Sequence, residues 1–127
     1  MTDFNIKTTV RGSVPRIPFE KLARAVLGHR YEMSLVICGD KLARRVNAKY
    51  RRKDYSPNVL SFPLDKNSGE IFLNIRKAER EAKEMKISPR ARLAHLYVHG
   101  CFHLLGMKHG DEMERREDVI LNRFKLI

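Results

Sequence analysis

A chain of 127 residues with 43% hydrophobic content, and with 26 Lys and Arg against 15 Asp and Glu for a net charge of +11, suits one domain with one core, spanning residues 1–127. Met1 to Lys7 lacks an apolar signal core and no run reaches the length of a membrane span, which excludes a membrane partner and points to the cytoplasm. So strong a positive charge favours polyanions as partners, nucleic acid first.

Phe4, Ile6, Thr8 and Val10 alternate with polar residues, the pattern of a half-buried first strand. Pro18 opens a helix to Leu27 with Leu22, Ala23, Val26 and Leu27 on its apolar face, and Gly28 ends it. Tyr31 to Cys38 reads as a second strand, and Asp40 is placed to cap a basic helix running to about Arg51. Two further strands, Asn58 to Phe62 and Glu70 to Asn74, are joined through the turn-prone residues Asp65 to Gly69. A helix from about Arg76 to Met85 follows, with Ala78, Ala82 and Met85 inward.

Ser88 then caps a helix with Pro89 at its first position, and the apolar run from Leu93 through Tyr97, Cys101 and Leu105 marks it as largely buried. The last helix, from about Asp111 to Phe124, buries Met113, Ile120, Leu121 and Phe124. Its opening acids Asp111, Glu112 and Glu114 suit the positive end of the helix dipole, and its expected role is structural. Cys38 and Cys101 form no CxxC pair and read as reduced thiols. The fold class is α+β: a single domain with a small mixed four-stranded sheet packed against helices, one of them buried and carrying a histidine motif.

That motif is the most informative segment. Four of the five histidines lie between Ala94 and Gly110, and three occur as His99-Gly100-Cys101-Phe102-His103, then Gly106, then His109. Residues four apart on a helix stand one turn above each other, so His99 and His103 can reach one cation. Gly106 can end the helix in a left-handed conformation and turn the chain so that His109 supplies a third nitrogen. Three neutral imidazoles suit zinc, one Zn2+ per chain, and leave a coordination position open. Three imidazoles also accept nickel, iron or copper.

His95 continues the row but cannot share the ion with His103. Eight residues of helix separate them by about 12 Å, against metal–nitrogen bonds of about 2.0 to 2.1 Å. It is expected behind the ligands or facing the substrate. The same histidine spacing occurs in metzincin proteases, which carry Glu directly after the first histidine as general base; Gly100 stands there instead, removing the proton acceptor of peptide hydrolysis.

The run from His95 to Gly106 followed by His109 resembles the signature of the YbeY family of metal-dependent endoribonucleases. A second block, Asn47, Tyr50-Arg51, Asp54 and Asn58-Val59-Leu60-Ser61-Phe62-Pro63, is similar to the family's segment, as is Gly69-Glu70-Ile71. The blocks extend from about Asp40 to the C-terminus. The resemblance implies the same α+β fold and cleavage of single-stranded RNA. It also implies work on the 3′ end of 16S ribosomal RNA in the small subunit, a part in ribosome maturation and quality control, and ribosome assembly factors as partners. Through the Tyr-Arg position it implies a catalytic or substrate-binding role for Arg51.

Two positions depart from the family pattern. Lys108 stands where many members have an acidic residue beside the third histidine, so it would either repel the metal or hold a phosphate. Ser56-Pro57 replaces a Pro-Thr pair. Arg44, Arg45, Lys49, Arg52 and Lys53 crowd one stretch around Arg51 and are candidates to track an RNA backbone, against the plainer reading of a solvated helix face. A competing expectation is a non-catalytic ribosome-associated RNA-binding module with a structural metal closed by Asp111 or Glu112 as fourth ligand. A further one is a metal-dependent hydrolase of another substrate.

Overall fold

The computed structural model describes residues 3–127. In chain order the elements are β1 (Phe4–Thr8), α1 (Phe19–Leu27), β2 (Glu32–Cys38), α2 (Asp40–Arg51), β3 (Val59–Asp65), β4 (Ser68–Asn74), α3 (Ile75–Met85), α4 (Pro89–Leu104) and α5 (Asp111–Arg123). The strands form one mixed sheet in the order β1-β2-β4-β3, with β1 parallel to β2, β2 parallel to β4, and β3 antiparallel to β4. The fold is a single-domain α+β architecture, as the element pattern predicts.

The β3–β4 hairpin is tighter than expected. Its strands extend to Asp65 and Ser68, and Asp65 Oδ1 accepts a hydrogen bond of 2.8 Å from the Asn67 amide, so Lys66 and Asn67 alone make the turn. Pro63 sits in a strand because β3 is an edge and loses no ladder bond there; the register shifts between Pro63 and Asp65. The first strand forms, but its expected half-burial does not. Phe4 packs on the core while Ile6 is 49% exposed and Thr8 is exposed. Alternation buries a face only where something covers it, and β1 packs chiefly on β2 at the opposite sheet edge.

Helix α4 is the centre of the molecule, contacting α1, α3, α5, β3 and β4. Ser88 Oγ caps it by accepting from the Ala91 amide, with Pro89 at the first position. Tyr97 is fully buried against Phe19 and donates its hydroxyl to the Phe19 carbonyl at 2.9 Å. The larger core joins this helix to one sheet face; a smaller cluster of Val36, Cys38 and Ala43 lies with Leu42 and Phe72. Alternation along β2 and β4 puts Val36, Cys38 and Phe72 on the opposite face from Leu35, Ile71 and Leu73.

Three further side chains depart from expectation. Leu105, the last of the apolar run, is 46% exposed because α4 stops at Leu104. Asp40 does not cap α2, whose N-cap is Gly39; its carboxylate instead accepts from both Arg80 nitrogens and from Asn74 Nδ2, ties made available when β4 runs into α3. Met85 is 50% exposed rather than inward, because α3 ends there and the left-handed turn at Lys86 leaves its side chain beyond the packed helix surface. Among the described residues no helix is long and apolar enough to cross a membrane.

Candidate metal centre

Helix α4 buries residues on nearly every side, and His99 and His103 are among its few half-exposed positions. Gly100 explains how it packs so closely: a Cβ there would lie 2.9 Å from Ser61 Oγ and 3.2 Å from both Ile71 Cδ1 and Val59 Cγ2, while Ser61 donates its hydroxyl to the Gly100 carbonyl at 3.1 Å. The position that carries glutamate in metzincins is therefore pressed against the sheet, without room for a side chain. Beyond Leu104, Gly106 takes φ +97° and bonds back to the His103 carbonyl, as the expected helix stop requires. The chain then returns with His109.

The imidazole rings of His99, His103 and His109 converge. Their ring centroids are 4.4 to 5.7 Å apart, and one ligand nitrogen from each lies within 4.8 Å of the others, so the three could hold one metal ion. The hydrogen-bond partners assign which nitrogen each helix histidine offers. Nδ1 of His99 lies 2.6 Å from Glu117 Oε2 and Nδ1 of His103 lies 3.2 Å from the Met107 carbonyl. Carboxylate and carbonyl oxygens only accept, so each Nδ1 carries the proton and each Nε2 presents a lone pair.

Those two Nε2 atoms are 2.9 Å apart. Two lone pairs at that distance repel unless a cation or a proton lies between them. Burial, the largest influence, holds the His99 imidazole below its ordinary pKa, and the neighbouring imidazoles act the same way, while Glu117 works in the opposite direction. A neutral pair sharing a cation fits this donor set better than an imidazolium does. The loop that brings in His109 also supplies, through Met107, the acceptor that orients His103.

The cluster stands in a cleft of about 760 Å³ between the exposed edge of β3 and the helices α4 and α5. The β3 wall holds Ser61, Pro63 and, reaching over from α2, Arg51; the α5 wall holds Glu114, Glu117 and Asp118. Arg51 Nη2 donates to the Ser61 carbonyl at 2.8 Å, an acceptor on the open strand edge, which sets the guanidinium at the rim. His95 lines the cleft and its Nε2 lies 3.0 Å from Glu117 Oε1. Lys108 is exposed and does not line the cleft; neither do Arg44, Arg45, Lys49, Arg52 and Lys53, all exposed, with Arg44 paired to Asp54 at 2.8 Å. Asp111 and Glu112 do not reach the cluster, and Glu112 pairs with Arg115 and Arg116.

Sequence reasoning missed Glu117. It is 3% exposed, and its two oxygens separately engage His95 and His99, so α5 does more than close the core. The signal was present: Met113, Glu117, Ile120 and Leu121 follow helical spacing, so the carboxylate falls inside the apolar stripe. Arg92, which also lines the cleft and pairs with Glu81 at 2.9 Å, had no such signal.

A small mixed sheet backed by helices, with three imidazoles converging in a cleft, defines a single-domain α+β protein with a histidine metal-binding site. The family model described as Endoribonuclease YbeY matches residues 4–125. The protein named Endoribonuclease YbeY of Methylobacillus flagellatus is 38% identical over 112 residues, covering 86% of this chain and 75% of that protein. That of Alkaliphilus metalliredigens is 34% identical, covering 76% and 73%. The chain belongs to the YbeY family. The solution structure of TM1509 from Thermotoga maritima, 20% identical, superposes with a TM-score of 0.67 over 96% of this chain and 91% of that one, and so has the same fold.

Proposed function

We propose that residues 1–127 form one metallo-hydrolase domain that cleaves single-stranded RNA internally, with zinc held by His99, His103 and His109. The observation that carries this reading is the convergence of three imidazoles, one ligand nitrogen from each within 4.8 Å of the others, inside a cleft whose rim holds Arg51. A bound zinc ion supplies Lewis acidity and an ionisable water near neutral pH. Glu117 fixes the His99 tautomer and so keeps its Nε2 turned to the ion. Arg51 neutralises charge gathering on the phosphodiester oxygens, its fork suited to two parallel hydrogen bonds.

His95 fills the place of a proton acceptor. With Nε2–H donated to Glu117, Nδ1 keeps a lone pair and would take the proton that the nucleophile loses. The basic residues Arg44, Arg45, Lys49, Arg52 and Lys53 lie outside the cleft and would track the strand's backbone by charge alone; Lys108 would do the same beside the third histidine. The family membership supports ribosomal RNA as the substrate. With it go the 3′ end of 16S RNA, ribosome maturation and quality control, assembly factors as partners and a cytoplasmic location. With no carboxylate in the described cluster, nothing specific favours the structural-metal module.

The test is cleavage of a labelled single-stranded RNA by metal-free protein, zinc-restored protein and the His103→Ala variant. Activity should follow zinc and vanish in the variant. Equal RNA binding by all three with no cutting would end the nuclease reading. Mapping 16S 3′ ends in cells lacking the protein would then decide the finer assignment.

A further inference from the structure

Outside the cleft, the least expected surface feature is aromatic. Tyr50, in the last turn of α2, is 61% exposed. Its ring meets that of Phe62 edge-on at 5.7 Å, and Phe62 in turn meets Phe72 at 6.0 Å, both of these half-buried. The three rings make a row running from the end of α2 across β3 to β4, on the sheet face that α2 only partly covers.

Two cations accompany the row. Lys49 Nζ lies 5.2 Å from the Tyr50 ring centre and Arg51 Cζ lies 5.0 Å from that of Phe62. Arg51 is at once a lining residue of the cleft and a neighbour of the aromatic row, so it joins the row, on the sheet face away from α4, to the cleft. The carboxylate nearest in register, Glu70 opposite Phe62, is engaged by Ser34 on the far side of β4. An exposed aromatic ring with one cation over it and a second over the ring it abuts matches a nucleotide: a flat base for the ring and phosphates for the charges. An acidic or apolar protein partner would meet only one of the two.

We propose that Tyr50, backed by Phe62 and flanked by Lys49 and Arg51, is a stacking subsite for one unpaired base of the RNA strand, adjacent to the phosphate gripped by Arg51. The inference rests on the endoribonuclease reading and adds a reason for single-strand preference. In a duplex each base face is covered by its neighbours in the stack, whereas an unpaired base can swing onto the ring. Stacking also tolerates any sequence, since every base has a π-face.

Steady-state cleavage by the zinc-loaded full chain tests it, with Tyr50→Phe, Tyr50→Leu and wild type compared on one single-stranded oligonucleotide. Tyr50→Leu still covers Phe62 but cannot stack, so KM should rise by at least about fivefold with kcat little changed, while Tyr50→Phe stays within about twofold of wild type. An abasic scan of the oligonucleotide should then show one position whose base matters to wild type and not to Tyr50→Leu, the non-additivity expected of a direct contact. If wild type cleaves the RNA and Tyr50→Leu has the same KM, or Tyr50→Phe fails as badly as Tyr50→Leu, the subsite is overturned and the nuclease reading stands. If wild type cleaves no RNA, the nuclease reading falls and the subsite with it.

Discussion

Glu117 is the residue on which the site's order depends. A carboxylate that is 3% exposed is stabilised only by what it binds, and here each oxygen meets an imidazole N–H. Glu117→Gln keeps the volume but can accept through one oxygen only, so one histidine loses its partner. Metal affinity should fall by about 10- to 100-fold in a competition titration with a chromophoric chelator, with the far-UV circular dichroism unchanged. An affinity within twofold of wild type would reduce Glu117 to a core residue. His95→Gln should instead leave metal content intact and lower kcat by about 10²- to 10⁴-fold, the loss expected of a proton acceptor. The thiols behave differently again. Burial raises Cys38 to about 11 and Cys101 to about 12, so neither forms thiolate near neutral pH, and a small alkylating reagent at pH 8 should label both only after unfolding.

At the scale of elements, the contact of α4 with the sheet decides where the histidines point. Gly100→Ala would push Ser61, Ile71 and Val59 aside or lift the helix, and should lower unfolding stability by about 1 to 3 kcal/mol in a urea titration. A neutral result would mean that Ser61 rotates away without cost. The start of α2, the end of β4 and the first turns of α3 are tied by Asp40, Asn74 and Arg80. Hydrogen bonds from Arg80, then from Asn74, hold Asp40 at about 2, below its ordinary 3.8. A depressed acid stabilises the fold above its unfolded pKa and loses that contribution as pH falls toward the folded one. The stability gap between wild type and Asp40→Asn should accordingly be constant above about pH 4 and close between about pH 4 and 2 in acid titrations. A gap that persists at pH 2 would assign the effect to lost packing. Elements were the most legible level in the sequence: periodicity, Ser88-Pro89 and Gly106 placed the helices well. Ile6 and Met85 were misplaced because periodicity marks an apolar face without saying whether anything covers it.

For the whole molecule, a charge of +11 is carried mostly outside the cleft, where carboxylates of α5 face Arg51 and Arg92. The charge should govern how strongly RNA is held and the cleft should govern whether it is cut. Binding should weaken as salt rises, with a log–log slope of about 0.7 per phosphate contacted, and neutralising Lys49 and Arg52 together should make that slope shallower. A slope that did not change would place the RNA on another face.

The sequence by itself determined the α+β class, the order of elements and the three converging histidines, because each depends on residues close together in the chain: a helical spacing of four, a glycine stop, a return of three residues. Only the tertiary structure decided that Glu117 from α5 would hold His95 and His99, that Gly100 would press against β3, and that Arg51 would reach the rim of the cleft while its basic neighbours on α2 stay outside it. Those relations join residues 10 to 40 positions apart, and packing between elements, which no local pattern encodes, is what brings them together.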